Sequence, residues 1–174
     1  MKRLVALGIS IGVLAGLFTW VAGSITAIGS LTAPLVVWVG FAAWAVFYAA
    51  GGRTAGLVST LGSTLSGLVW GWLILKATLG ISAAGSPAVL GLMVAIGAFA
   101  MCVQAGVKPL AFIPGAFIGA ACFFGNGGLF WATAISLVGG ALLAWLSEVL
   151  GDVVERALGG TSTAAPAAGE KATA

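Results

Sequence analysis

Six runs of residues, 4–22, 33–50, 55–75, 88–105, 110–124 and 129–146, are apolar on every side. A bilayer core of roughly 30 Å takes about 20 apolar residues as a helix, and none of the runs shows the period-two alternation of a membrane β-strand. In hydrocarbon the backbone must then satisfy its own polar groups within each run, which leaves the helix. Composition points the same way: 61% of residues are hydrophobic, 6% are charged and the mean hydropathy is +1.19, far from a water-soluble balance. The expected class is an all-α integral membrane protein held in the lipid bilayer. Its six transmembrane helices form one multi-pass domain over 1–158, followed by a small, polar, disordered tail over 159–174.

Turn-type clusters punctuate the runs: Gly51-Gly52-Arg53, residues 80–87, residues 106–109, and Asn126-Gly127-Gly128, with a short polar connector over 24–32. Basic residues of short loops are retained on the cytoplasmic side. Six spans with a cytoplasmic N-terminus put Lys2, Arg3, Arg53, Lys108, Arg156 and Lys171 on that side and Lys76 opposite, leaving both termini cytoplasmic. If 110–124 were a re-entrant loop, Arg156 and Lys171 would move outside, so six spans fit the charges better. The start of the chain also has the basic-then-apolar form of a secretory signal. Its apolar run is longer than the usual about 7–15 residues, and Gly8, Gly12 and Gly16 recur at the helical spacing of a packed span.

Beyond residue 146 the chain reads SEVLGDVVERAL. Val149, Val153, Val154 and Leu158 alternate with Glu148, Asp152, Glu155 and Arg156 at helical spacing. The pattern predicts an amphipathic extension over 147–158 that emerges at the cytoplasmic surface and lies at the interface or against a neighbouring subunit.

Two stretches align at an offset of 75 residues. PLVVWVGFAAWAVFYAAGG, from Pro34, and PLAFIPGAFIGAACFFGNG, from Pro109, share Pro-Leu, Gly40 with Gly115, Ala45 with Ala120, and Gly52 with Gly127. Three spans per half is an odd number, so a true repeat would insert its second half upside down. Such a 3+3 inverted repeat is a recurring plan of transporters, with a site near mid-membrane. The alternative is two unrelated spans matched by low-complexity composition.

The third run is the most polar. In STLGSTLSG, Ser59, Thr60, Ser63, Thr64 and Ser66 cluster, and Ser59, Ser63, Gly67 and Gly71 fall on one face. Two readings stay open: a close helix contact whose hydroxyls bond across it or back to their own helix, or a hydroxyl-lined wall for a small neutral solute. In PLAFIPG, Pro114 marks the start of a short span after an irregular segment, a candidate vestibule, since non-helical backbone at depth must be buried in protein or face water. Gln104 and Asn126 are candidate solute contacts at a pore mouth, with capping and turn formation as the alternatives. The candidate pathway is thus Ser59, Thr60, Ser63, Thr64, Gln104, Pro114 and Asn126. The candidate helix-packing glycines are Gly8, Gly12, Gly16, Gly67, Gly71, Gly115 and Gly119.

Other chemistries lack their residues. There is no histidine, and Cys102 and Cys122 lie in separate apolar runs, so neither a metal site nor a structural disulfide is expected. The basic residues are dispersed, without a stripe for nucleic acid. No carboxylate lies inside a predicted span, Glu148 standing at the end of the last, which argues against proton coupling, redox carriage and catalysis. No cofactor and no enzymatic activity are expected.

The segments MCVQA, FIPGAFIGA and SGLVW, at their spacing here, resemble the YcdZ-like bacterial inner-membrane family, catalogued as domain of unknown function 1097. The resemblance covers about residues 4–146. It implies a small multi-pass protein of the bacterial cytoplasmic membrane and brings no catalytic residues. The function expected is a channel-like or facilitative permease for a small neutral solute, acting as a homo-oligomer. The alternative is a non-transporting membrane scaffold or accessory subunit that binds a partner protein.

Overall fold

Prolines and paired glycines set the ends of the helices. The computed structural model describes residues 1–25, 34–82 and 85–159, together with the backbone of two short strands. It contains α1 (Lys2–Ser24), β1 (Ala27–Ile28), β2 (Leu31–Thr32), α2 (Val37–Ala49), α3 (Arg53–Ile81), α4 (Pro87–Val103), α5 (Ile113–Gly125) and α6 (Phe130–Ala157). Pro87 and Pro114 sit in the first turns of α4 and α5, where the missing N–H has no helical partner to lose. Two 3-10 turns, Gln104–Gly106 and Lys108–Leu110, form the irregular segment expected before α5. The two-residue strands pair antiparallel inside the connector after α1. The polar tail from residue 160, Lys171 included, lies outside the described residues.

The chain is all-α, as its sequence predicts. Among the described residues, four helices are long and apolar enough to cross a membrane: Lys2–Ser24, Arg53–Ile81, Pro87–Gly106 (α4 with its 3-10 extension) and Phe130–Ala157. The second run yields a shorter helix than its 33–50 length suggests. Like α5, α2 has 13 residues, about 20 Å at 1.5 Å per residue against a hydrocarbon core of roughly 30 Å. Neither needs to reach both surfaces, because both are packed among the longer helices. The most extensive contacts in the molecule are α3 with α5 and α2 with α6.

Contact register fixes the directions. Lys2 Nζ donates to Gly159 O and Ser10 Oγ to Ser147 O, so α1 runs antiparallel to α6. Val36 N–H meets Ser136 and Tyr48 meets Ser147, so α2 runs parallel to α6. Gly115 faces Ser63 and Ala120 faces Gly71, so α5 runs parallel to α3. Gly97 faces Ile74 while Gln104 reaches Ser66, so α4 runs antiparallel to α3. Directions therefore alternate through all six helices, and the last three run opposite to the first three.

The halves correspond closely, at an offset of 76 instead of the 75 read from the aligned stretches. In α2 the buried residues are Val39, Gly40, Ala43, Trp44, Val46 and Phe47; moved on by 76 they become Gly115, Ala116, Gly119, Ala120, Cys122 and Phe123, the whole buried set of α5. The turns repeat too. Gly51 N–H donates to Tyr48 O and Gly52 N–H to Phe47 O; Gly127 N–H donates to Phe124 O and Gly128 N–H to Phe123 O. Each is a Schellman helix end whose glycines take positive φ. The Pro-Leu and single-glycine matches fall one residue out of this register because small residues recur too often in the chain to anchor an alignment.

As the sequence predicts, the last helix continues beyond its apolar run, to Ala157, as an amphipathic extension; its polarity is inverted relative to a soluble amphipathic helix. Val149, Val153 and Leu158 are exposed, while Glu148, Gly151 and Glu155 are buried. With lipid outside, the apolar face turns outward and the carboxylates turn to the protein.

Candidate functional site

The hydroxyl face of α3 is a closed seam against α5. Thr60, Ser63 and Thr64 are fully buried, and Ser59 is half-buried. Ser63 Oγ donates to Ser59 O at 2.6 Å and Thr64 Oγ1 to Thr60 O at 2.7 Å, the back-bonding typical of hydroxyls in membrane helices. Small residues permit this approach. A methyl group on Gly67 would land on the backbone of Ala116, one on Gly119 on the backbone of Thr64, and one on Gly115 on the Ser63 side chain. Gly71 packs against Phe123 and Ala120. These four glycines do pack helices, and the hydroxyls proposed as pathway residues lie within that contact. The space where the four central helices meet is filled by Val39, Ala43, Leu68, Phe123, Leu137 and Ala141.

The remaining pathway candidates are scattered. Gln104 bridges α4 and α3: its Oε1 accepts from Trp70 Nε1 at 2.9 Å and its Nε2 donates to Ser66 Oγ at 3.0 Å. Asn126 caps α5 and donates from Nδ2 to Thr133 Oγ1 at 3.0 Å, tying the α5–α6 turn to the first turns of α6. Pro114 is exposed. Gly8, Gly12 and Gly16 meet nothing within 4 Å among the described residues; they face outward from α1 with room for a side chain.

Thr60 is distinct among the hydroxyls. Its Oγ1 is buried without a partner among the described residues. Its counterpart 76 residues on, Ser136, is equally buried but fully used: its Oγ donates to Ala132 O and accepts the N–H of Val36 at 2.7 Å.

The sequence reading missed a polar cluster at the end of the bundle that carries the N-terminus of α1 and the C-terminus of α6. Arg53 N–H donates to Glu148 Oε2 at 2.6 Å, its Nε lies 3.4 Å from Glu148 Oε1, and its Nη1 lies 2.9 Å from Asp152 Oδ2. Ser10 and Tyr48 bind Ser147 alongside. Arg3 Nη1 and Glu155 Oε2 are buried here without partners among the described residues. Glu148, at the end of the last apolar run as the sequence has it, and Glu155 one turn beyond Gly151 both lie on the buried face of the continuous helix α6. The signal was present: Glu148 and Asp152 are four residues apart on one face of a strongly apolar helix, where carboxylates face the bundle interior.

A groove of about 600 Å³ lies between α3 and α6 and is lined by Leu65, Leu68, Val69, Phe130, Trp131 and Ile135 among other apolar residues. It contains none of the polar candidates and is open at the apolar surface.

Comparison with known proteins is consistent with this architecture. Residues 8–152 match the family described as "Protein of unknown function (DUF1097)". The inner membrane protein YcdZ of Escherichia coli strain K12 is 35% identical over 130 residues, 74% of this chain and 73% of that protein. The uncharacterized protein YahC of the same strain is 31% identical over 167 residues, 90% of this chain and 96% of that protein. The inner membrane protein YcdZ of Salmonella typhimurium strain LT2 is 32% identical over 129 residues, 74% of each chain. No solved structure matches at a significant level.

Proposed function

The chain belongs to the DUF1097 family, and from that premise we propose that it is a multi-pass protein of the bacterial inner membrane that facilitates passage of a small neutral solute. The observation that carries the reading is the repeat. The same buried face recurs on α2 and α5 in halves that run in opposite directions, the plan by which transporters present one site alternately to two sides. The charges support a cytoplasmic assignment for the end that carries Lys2, Arg3, Arg53 and Arg156, and hence for both ends of the described chain. The outward glycines Gly8, Gly12 and Gly16 support a homo-oligomer, since small residues on an open helix face admit a second helix closely.

The test is stopped-flow volume recovery of proteoliposomes in urea, glycerol, formamide or acetamide, against protein-free vesicles. Faster entry of at least one solute is expected. Equal rates for all four would overturn the reading and favour a non-transporting accessory subunit. That second reading has its own support: the hydroxyls of Ser63 and Thr64 are held by their own helix, and the centre of the bundle is apolar.

A further inference from the structure

The two halves share their buried faces and turns, and one of the bonds at which they differ is the one that holds the start of the short helix. Val36 is the residue that starts α2, and Phe112 the residue that starts α5; they are 76 positions apart, as are Thr60 and Ser136. In the first half the start of α2 is latched to α6 by Val36 N–H to Ser136 Oγ, 2.7 Å. In the second half the matching hydroxyl, Thr60 Oγ1, is wholly buried and has no partner among the described residues. A buried hydroxyl without a partner is a cost to the folded chain and calls for an explanation. Nearby on α3, Gly62 packs against the backbone of Pro109 and Ser63 against Gly115, at the start of α5.

We propose that the protein interconverts between two conformations that exchange the latch between repeats. In the one seen here the α2 start is latched to Ser136 and the α5 start is released from Thr60. In the other, Phe112 N–H donates to Thr60 Oγ1 and the Val36–Ser136 bond is open. The chain's inverted symmetry makes the second conformation the first one with its halves exchanged, so the two ends of the bundle open in turn. The inference rests on the repeat and this unmatched bond, not on transport, and is testable without any solute.

The experiment is amide hydrogen–deuterium exchange of the full chain in lipid nanodiscs, followed at the segments containing Val36 and Phe112. Ser136→Ala should speed exchange at Val36 and, through the shifted population, slow it at Phe112 by up to about fivefold, the shift in equilibrium constant equal to one net hydrogen bond. Thr60→Val, which keeps the shape and removes the hydroxyl, should do the reverse: slower exchange at Val36 and faster at Phe112. Ser136→Thr, which retains a hydroxyl, should behave as wild type. If each substitution alters only its own neighbourhood, leaving the other repeat unchanged, the exchange does not occur. Should Ser136→Ala fail to fold, Thr60→Val decides alone, because slower exchange at Val36 together with faster exchange at Phe112 follows neither from a local effect nor from a general gain in stability.

Discussion

In the turn from α2 to α3, Gly51 and Gly52 close a Schellman end and Arg53 then reaches α6, binding Glu148 and Asp152. In the turn from α5 to α6, Gly127 and Gly128 close the same end with the same bonds, but Leu129 follows and the staple is the amide of Asn126 on Thr133. The backbone is repeated and the chemistry is not. Inversion puts the two turns at opposite ends of the bundle, so the turns need not share a polarity: one is charged, the other neutral. The seams show the same division. Gly40 lies directly on Gly140 between α2 and α6, whereas their counterparts Ala116 and Thr64 each sit against a glycine of the facing helix, Gly67 and Gly119. A repeat can conserve how closely two helices approach while changing which residue permits it.

The sharpest way to break this equivalence is to fill the seams. Gly67→Val and Gly140→Val both place side-chain atoms on facing backbone, and neither protein should elute as a monodisperse peak in size-exclusion chromatography. The milder alanine variants should each lose about 3 kcal/mol or more, at the upper end of overpacking costs. A tolerated Gly140→Ala beside a lethal Gly67→Ala would show that the seams are not equivalent. Next come the two staples. Glu148→Ala, which leaves Arg53 and its N–H without their buried acceptor, should cost about 2 kcal/mol in thermal unfolding, against about 1 kcal/mol for Asn126→Ala. Equal losses would remove the distinction between a charged and a neutral end. Gln104→Leu deletes the bridge from the end of α4 to Trp70 and Ser66 of α3, and a loss of about 1 kcal/mol is expected. Gly12→Ala, on the open face of α1, should change protomer stability by less than about 1 kcal/mol, in the stabilising direction set by helix propensity. A change in oligomer mass by light scattering would assign that face to subunit contact.

Much of the architecture was legible because lipid makes apolar length and turn punctuation decisive. The six runs, the Gly-Gly turns, the start near Pro114 and the packing role of Gly67, Gly71, Gly115 and Gly119 all follow from that. Side-chain direction was harder to read. The valines and glutamates of 147–158 form an amphipathic pattern in any solvent, and only the surroundings decide which face turns outward; here Glu148 and Glu155 point in. The hydroxyls of α3 were ambiguous for a related reason. A small polar residue that lines a wall and one that lets a helix approach have the same spacing, and the glycines of α5 place Ser63 and Thr64 in the second role in the conformation seen here. The repeat was visible in outline, but its register was not, because the halves share burial far more than identity. Phe47 and Phe123 are among the few pairs alike in both.

The interlocked pairing, α2 with α6 and α3 with α5, has a consequence for how the chain is made. Neither half contains the partner of its own short helix, so the first three helices enter the membrane with their glycine faces uncovered. Gly40 waits for Gly140, about 100 residues and, at about 5–20 residues per second, some 5–20 s of synthesis. A chain cut in the 82–86 connector should therefore yield two fragments that are unstable when expressed separately and recover when the two are expressed together, as a bundle assembled in one step once its last helix has arrived.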